Sequence, residues 1–198
     1  MFSTPERIEA KIGKHGTPRR NFLRELVNEF KETVSIEYKE QILANLANFA
    51  YDPVNFGFLT ELNVDKLFLD CLTQEAVNTD KLREFAVKGI LNLCPDDFLR
   101  NRILTRGGME LVKEAVGSSE PETVLSAIAV LNEFAVHDLQ ESDRASLLNP
   151  VFVERVLKLK THPNPLITKL AQVFVEDHCS QALIRAAVEL RNVASGSS

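Results

Sequence analysis

The sequence predicts an all-α protein, a short right-handed α-α superhelix of about four repeated units with capping helices at its ends. Three observations carry this expectation. Apolar residues recur at spacings of three and four with no strand-like alternation, helix-starting residues punctuate the chain at short intervals, and the whole pattern returns every 41 to 44 residues.

Composition frames the reading. A chain of 198 residues that is 44% hydrophobic and 26% charged can bury one sizeable core. It holds no apolar run of the roughly 18 residues that a membrane span needs, and no secretion leader, so a soluble, non-secreted protein is expected. Cys71, Cys94 and Cys179 are odd in number and lie in apolar segments, which points to buried thiols in a reducing compartment, cytosol or nucleus.

The elements follow in order. Residues 1–20 read as a basic flexible arm, since KIGKHGTPRR lacks helical periodicity. Residues 1–24 hold six Lys or Arg against two Glu, which leaves 17 against 26, a balance of -9, for the rest. The arm is a solvated tail or a contact for phosphate or an acidic partner; Glu6 and Glu9 speak against a mitochondrial transit peptide. The folded domain is expected over 21–194 and a flexible tail over 195–198.

Within the domain, Phe22, Leu23, Leu26, Val27 and Phe30 form a first helical stripe. Ser35 then caps a helix through Ile42, Leu46 and Phe49, which Asp52 and Pro53 end while starting the next. A short and a medium helix follow each long one: 53–61 with 64–73, 96–104 with 107–117, and 141–148 with 150–160. RGG at 106–108 suits a sharp turn. SEPE at 119–122 reads as a capping box of Ser119 and Glu122, and Asn164 with Pro165 starts a further long helix. A closing helix over 181–194 should cover the last apolar face with Leu183, Ala187 and Leu190.

Superposing the long helices matches Leu46 with Ile90, Asn48 with Asn92, Phe49 with Leu93 and Ala50 with Cys94. Leu131, Glu133, Phe134 and Ala135 take the same places in a third copy, and Phe174 and Glu176 in a weaker fourth. A three-helix unit of this length favours the armadillo pattern over two-helix repeats. The segments QILANLANFAYDP, FLDCL, GILNLC, RGG, ETVLSAI and LAQVFVEDHCS together resemble the armadillo-repeat family, and within it a small branch of the minor spliceosome, over about 21–180. The resemblance implies a non-enzymatic nuclear adaptor that pairs with an RNA-recognition-motif protein of the RNA-binding motif protein forty-eight type, as a heterodimer rather than a homo-oligomer. It implies minor-spliceosome pre-mRNA splicing, with small nuclear RNA reached through the complex.

The amides of the opening repeat are the candidate site. In a stacked solenoid, residues beside the apolar stripe of each long helix line a groove. A side-chain amide there offers donor and acceptor to one peptide unit of an extended segment. Gln41, Asn45, Asn48 and Asp52 make the first rung by helical spacing. The same offsets give Gly89, Asn92 and Asp96, then Ser126, Glu133 and His137, then Lys169, Glu176 and Ser180. The open alternative is that Asn48 and Asn92 bond helix ends within the fold. The chain has no Trp, so lysine stems of a localisation signal cannot be sandwiched between Trp rings. A peptide-binding transport or signalling adaptor is the competing class.

Chemistry finds little purchase. His15, His137, His162 and His178 form no metal-spaced pair, no two Cys lie two apart, and His178 with Cys179 is a neighbour pair that a helix points apart. No enzyme, metal or cofactor is expected. Direct RNA binding is the third class: Arg100, Arg102 and Arg106 are candidate phosphate contacts, but an acidic body and Phe residues at core spacings oppose a broad RNA surface.

Overall fold

The structure, a computed structural model, describes residues 3, 4, 6, 17–73 and 79–196. Residues 7–16 of the basic arm and the end of the tail, 197–198, lie outside the described residues. All regular structure among the described residues is helical. The chain divides into two compact units, 1–106 and 107–198.

The first unit holds α1 (Arg19–Glu32), α2 (Ile36–Ala50), a 3-10 turn at Pro53–Asn55, α3 (Phe56–Glu61), α4 (Val64–Asp70), α5 (Asp80–Leu93) and α6 (Asp97–Thr105). Its starts follow local chemistry. The Ser35 hydroxyl accepts the Tyr38 N–H at 3.3 Å, Thr79 caps α5 through the Leu82 N–H at 3.2 Å, and Asp52 caps the 3-10 turn with Pro53 at its first position. Helices α2 and α5 pack face to face, with Leu43, Leu46, Ala86, Val87 and Ile90 fully buried or nearly so. Close approach of α4 and α5 is achieved at Gly89: a Cβ there would lie 2.3 Å from the Phe68 ring tip, and Phe68 is wholly buried.

The second unit holds α7 (Gly108–Ala115), α8 (Pro121–Val136), α9 (Glu141–Leu147), α10 (Pro150–Leu159), α11 (Pro165–His178) and α12 (Gln181–Gly196). The RGG turn works as its glycines suggest, because Gly107 sits at φ 79° ahead of α7. Asn149 and Asn164 cap the two helices that begin with Pro150 and Pro165. Phe152 and Phe174 meet edge to face at 6.3 Å in the core.

Two expectations need correction. Helix α8 starts at Pro121 with Glu120 at its cap position, so Ser119 stands one residue outside and SEPE is no capping box. Proline has no N–H to satisfy and a preset φ, which fixes the first helical position; the Ser118 hydroxyl accepts the Glu120 N–H instead. In α12, Ala187 is buried and Leu183 half-buried, but Leu190 is 44% exposed. Leu183, Ile184 and Ala187 lie inward in the first two turns, while the later turns, with Leu190 and the exposed Arg191 that Glu154 holds at 3.3 Å, face outward.

Candidate functional site

Gln41, Asn45 and Asn48 stand exposed along one face of α2. Among the described residues no hydrogen bond engages the side chains of Asn45 or Asn48. Asp52 continues the row at the end of α2, half-buried, accepting from Val54 N–H at 3.4 Å and from Ser3 N–H at 2.9 Å. Burial works to raise its carboxyl, but those hydrogen bonds and the Arg19 guanidinium outweigh it and hold the group below the usual carboxylate range. Arg19 also lies 4.6 Å over the Phe49 ring. The row is therefore a polar, solvent-facing strip whose amides keep both donor and acceptor free.

Asn92 behaves differently from Asn48. It is half-buried, and its Nδ2 donates 2.9 Å to the carbonyl of Ala47. That carbonyl belongs to the last turn of α2, where the Tyr51 N–H turns to Asn48 and Phe49 instead. The last four carbonyls of a helix lack intrahelical donors, and side chains complete them here. Asn55 donates to Phe49 at 2.9 Å, and Arg100 donates to Cys94 at 2.8 Å, each six residues after its acceptor. Asn92 thus serves the packing of α5 on α2.

The other predicted rung members divide in the same way. Gly89 is buried beneath Phe68 and Ser126 is buried in α8, so neither lines an open face. Asp96 is the N-cap of α6, accepting the Leu99 N–H at 2.9 Å. In the second unit, His137 Nε2 lies 3.6 Å from the Glu133 carboxylate. Glu176 is exposed and accepts from Gln172 at 2.7 Å, Lys169 is exposed, and Ser180 caps α12 through Leu183. Sequence alignment passed over Asn132, whose Nδ2 donates to Ile128 at 2.9 Å and to Leu170 on α11 at 3.4 Å. Its signal was an amide within the apolar run AVLNEF, hidden by the register that set Glu133 against Asn92.

The three arginines are held inside the chain. Arg100 is 5% exposed, bonded to Cys94 and ion-paired with Asp97. Arg102 and Arg106 grip the wholly buried Asp65 at 3.1 and 2.6 Å, and both also donate to Asn63. Guanidinium groups engaged with carboxylate in this way have little left to offer a phosphate.

Groups with catalytic potential are muted. Burial, with Asp70 adding to it and Lys39 opposing, pushes the Cys71 thiol up to about 12, and burial pushes Cys179 to about 11. Burial lowers His178, which packs edge-on to Phe174 at 5.4 Å, while Asp177 partly opposes. Protonated thiols are poor nucleophiles. Among the described residues no three His, Cys, Asp or Glu gather as a metal site.

A helical array with a short and a medium helix between long ones, and an open polar face on a long helix, defines an armadillo-type α-solenoid. Solved structures agree on the fold. A computationally designed armadillo repeat protein for modular peptide recognition matches with a TM-score of 0.69 at 19% identity, over 87% of this chain and 68% of that one. A designed armadillo repeat protein in complex with peptide (KR)4 matches with a TM-score of 0.64 at 17% identity, over 84% and 64%. No protein-family model matches the chain. Mouse armadillo repeat-containing protein 7 is 38% identical over 181 residues, 91% of this chain and 86% of that protein. The chain belongs to the armadillo repeat-containing protein 7 family.

Proposed function

We propose that this chain is a non-enzymatic nuclear adaptor that holds an RNA-recognition-motif protein and acts with it in pre-mRNA splicing by the minor spliceosome. The observation that carries the adaptor reading is the row Gln41, Asn45 and Asn48, exposed on α2. Free amides at helical spacing grip main chain with little demand on sequence. Family membership and the resemblance of the repeat blocks support the partner class and the splicing role. The engagement of Arg100, Arg102 and Arg106 with Cys94, Asp97, Asp65 and Asn63 supports RNA being reached through the partner.

Co-purification from nuclear extract, with mass spectrometry of the proteins and sequencing of the small RNAs, tests it. An RNA-recognition-motif protein and a minor-spliceosome RNA are expected together. Changing Asn45 and Asn48 to Ala should weaken the reconstituted complex by about 1–3 kcal/mol while thermal unfolding of the free chain stays put. Absence of that partner and RNA removes the splicing role, and an unaffected complex removes the α2 row. Binding of a basic localisation-signal peptide through Glu133 and Glu176 would instead make the chain a transport adaptor. Submicromolar binding of single-stranded RNA by the chain alone would make it a direct RNA binder.

A further inference from the structure

We propose that a groove in the first unit, between the end of α1, the start of α2 and α4, docks an acidic segment of a protein partner that carries an apolar anchor residue. The groove has a volume of about 610 Å³, and Phe30, Leu62 and Leu67 supply its apolar walls. Lys31, Lys39 and Lys66 stand around it. The lining contains one carboxylate, Asp70, which Lys66 holds at 2.6 Å. Lys39 is fixed 5.4 Å over the Phe30 ring.

The positive charge extends behind the groove. Asn63, also in the lining, accepts from Arg102 at 2.7 Å and from Arg106 at 3.4 Å, and those two cations share the single carboxylate of Asp65. Among the residues lining the groove three lysines stand against one carboxylate, in a protein whose net charge is -5. A local excess of this sign attracts anions and rejects cations within a Debye length, roughly 8–10 Å.

The apolar walls decide between anionic partners. Single-stranded nucleic acid binds through aromatic faces on which bases stack, and the one aromatic ring here has the Lys39 ammonium over its face. An acidic peptide uses both features, placing a Leu or Phe side chain between Phe30, Leu62 and Leu67 and its carboxylates against the lysines. Lys39 and Gln41 are two positions apart on α2, about 200° around the helix, so this groove opens away from the amide row and goes beyond the adaptor reading above.

The test is fluorescence anisotropy on the full chain with a labelled peptide carrying a Leu-Phe pair between two runs of Glu. Controls are the same peptide with Lys in place of Glu, and oligouridine. Saturable binding of the acidic peptide is expected, weakened about tenfold or more by Lys31→Glu with Lys66→Glu and by added salt. Lys31 and Lys66 are exposed, so the variant should stay folded, with unfolding lowered only by the small cost of setting a second carboxylate against Asp70 in place of the Lys66–Asp70 pair. Amide resonances of Leu62, Asn63 and Leu67 should shift on titration. No saturable binding, equal binding by the variant, or equal binding of the lysine peptide overturns the proposal. Binding of oligouridine without the acidic peptide overturns it in favour of a phosphate surface.

Discussion

Asn48 and Asn92 occupy equivalent repeat positions, and replacing each by Ala separates an exposed amide from one that completes the fold. The Asn92 Nδ2 is the donor for the Ala47 carbonyl at 2.9 Å, and Ala47 is 1% exposed. Truncation strands a buried acceptor at a cost of about 1–3 kcal/mol, and alanine returns about 0.5 kcal/mol in helix propensity. The net loss for Asn92→Ala is about 0.5–2.5 kcal/mol, or roughly 1–10 °C in a domain of this size. Asn92→Asp should be worse, because a carboxylate would face the carbonyl oxygen. Asn48 is exposed, so Asn48→Ala should change stability by less than about 0.5 kcal/mol in either direction. Urea unfolding followed by far-UV circular dichroism reads all three. If Asn92→Ala proves as silent as Asn48→Ala, Asn92 has no structural duty and the distinction drawn between the two amides fails.

Gly89→Ala should be less stable than Gly57→Ala by about 1–3 kcal/mol in thermal unfolding. Both gain helix propensity, but only the Gly89 Cβ meets the buried Phe68 ring, and Phe68→Leu should shrink the difference; equal stability of the two would contradict that close approach. For pH, burial holds His178 below the usual histidine value of about 6.5. The unfolded chain therefore takes the proton first, and the contribution is present above about pH 6.5 and lost as pH falls towards the lower folded value. Replacing His178 by Gln should flatten stability over that window, and an unchanged slope in a pH series of urea midpoints would show that the imidazole is not the cause.

Several helix starts were legible because their signals are local: a hydroxyl or carboxamide before proline or an apolar stripe needs nothing from distant chain, as at Ser35 and Asn164. The period of the repeat was legible for the same reason. Side-chain engagements were not legible where a partner far in sequence decides them. Nothing near Arg102 and Arg106 announces that Asp65, 37 and 41 residues earlier, will hold them. Gly89 and Ser126 inherited groove positions by counting, whereas both are buried, Gly89 against the Phe68 ring. The lysine-rimmed groove was invisible because Lys31, Lys39 and Lys66 come from three different helices.

The side chains that close the ends of α2 and α5 also decide where this chain can be divided. Asn55 closes α2, Arg100 closes α5, and Asn92 reaches back 45 residues to Ala47. A fragment ending at the visible end of a long helix, after Ala50 or Cys94, would leave bare carbonyls behind it. One ending after Arg100 keeps the Ala47, Phe49 and Cys94 carbonyls closed, whereas one ending after Asn55 still leaves Ala47 bare, because Asn92 is lost. The structural unit that keeps its helix ends sealed is therefore offset from the visible helices: it runs on to Arg100 rather than stopping at the end of α5.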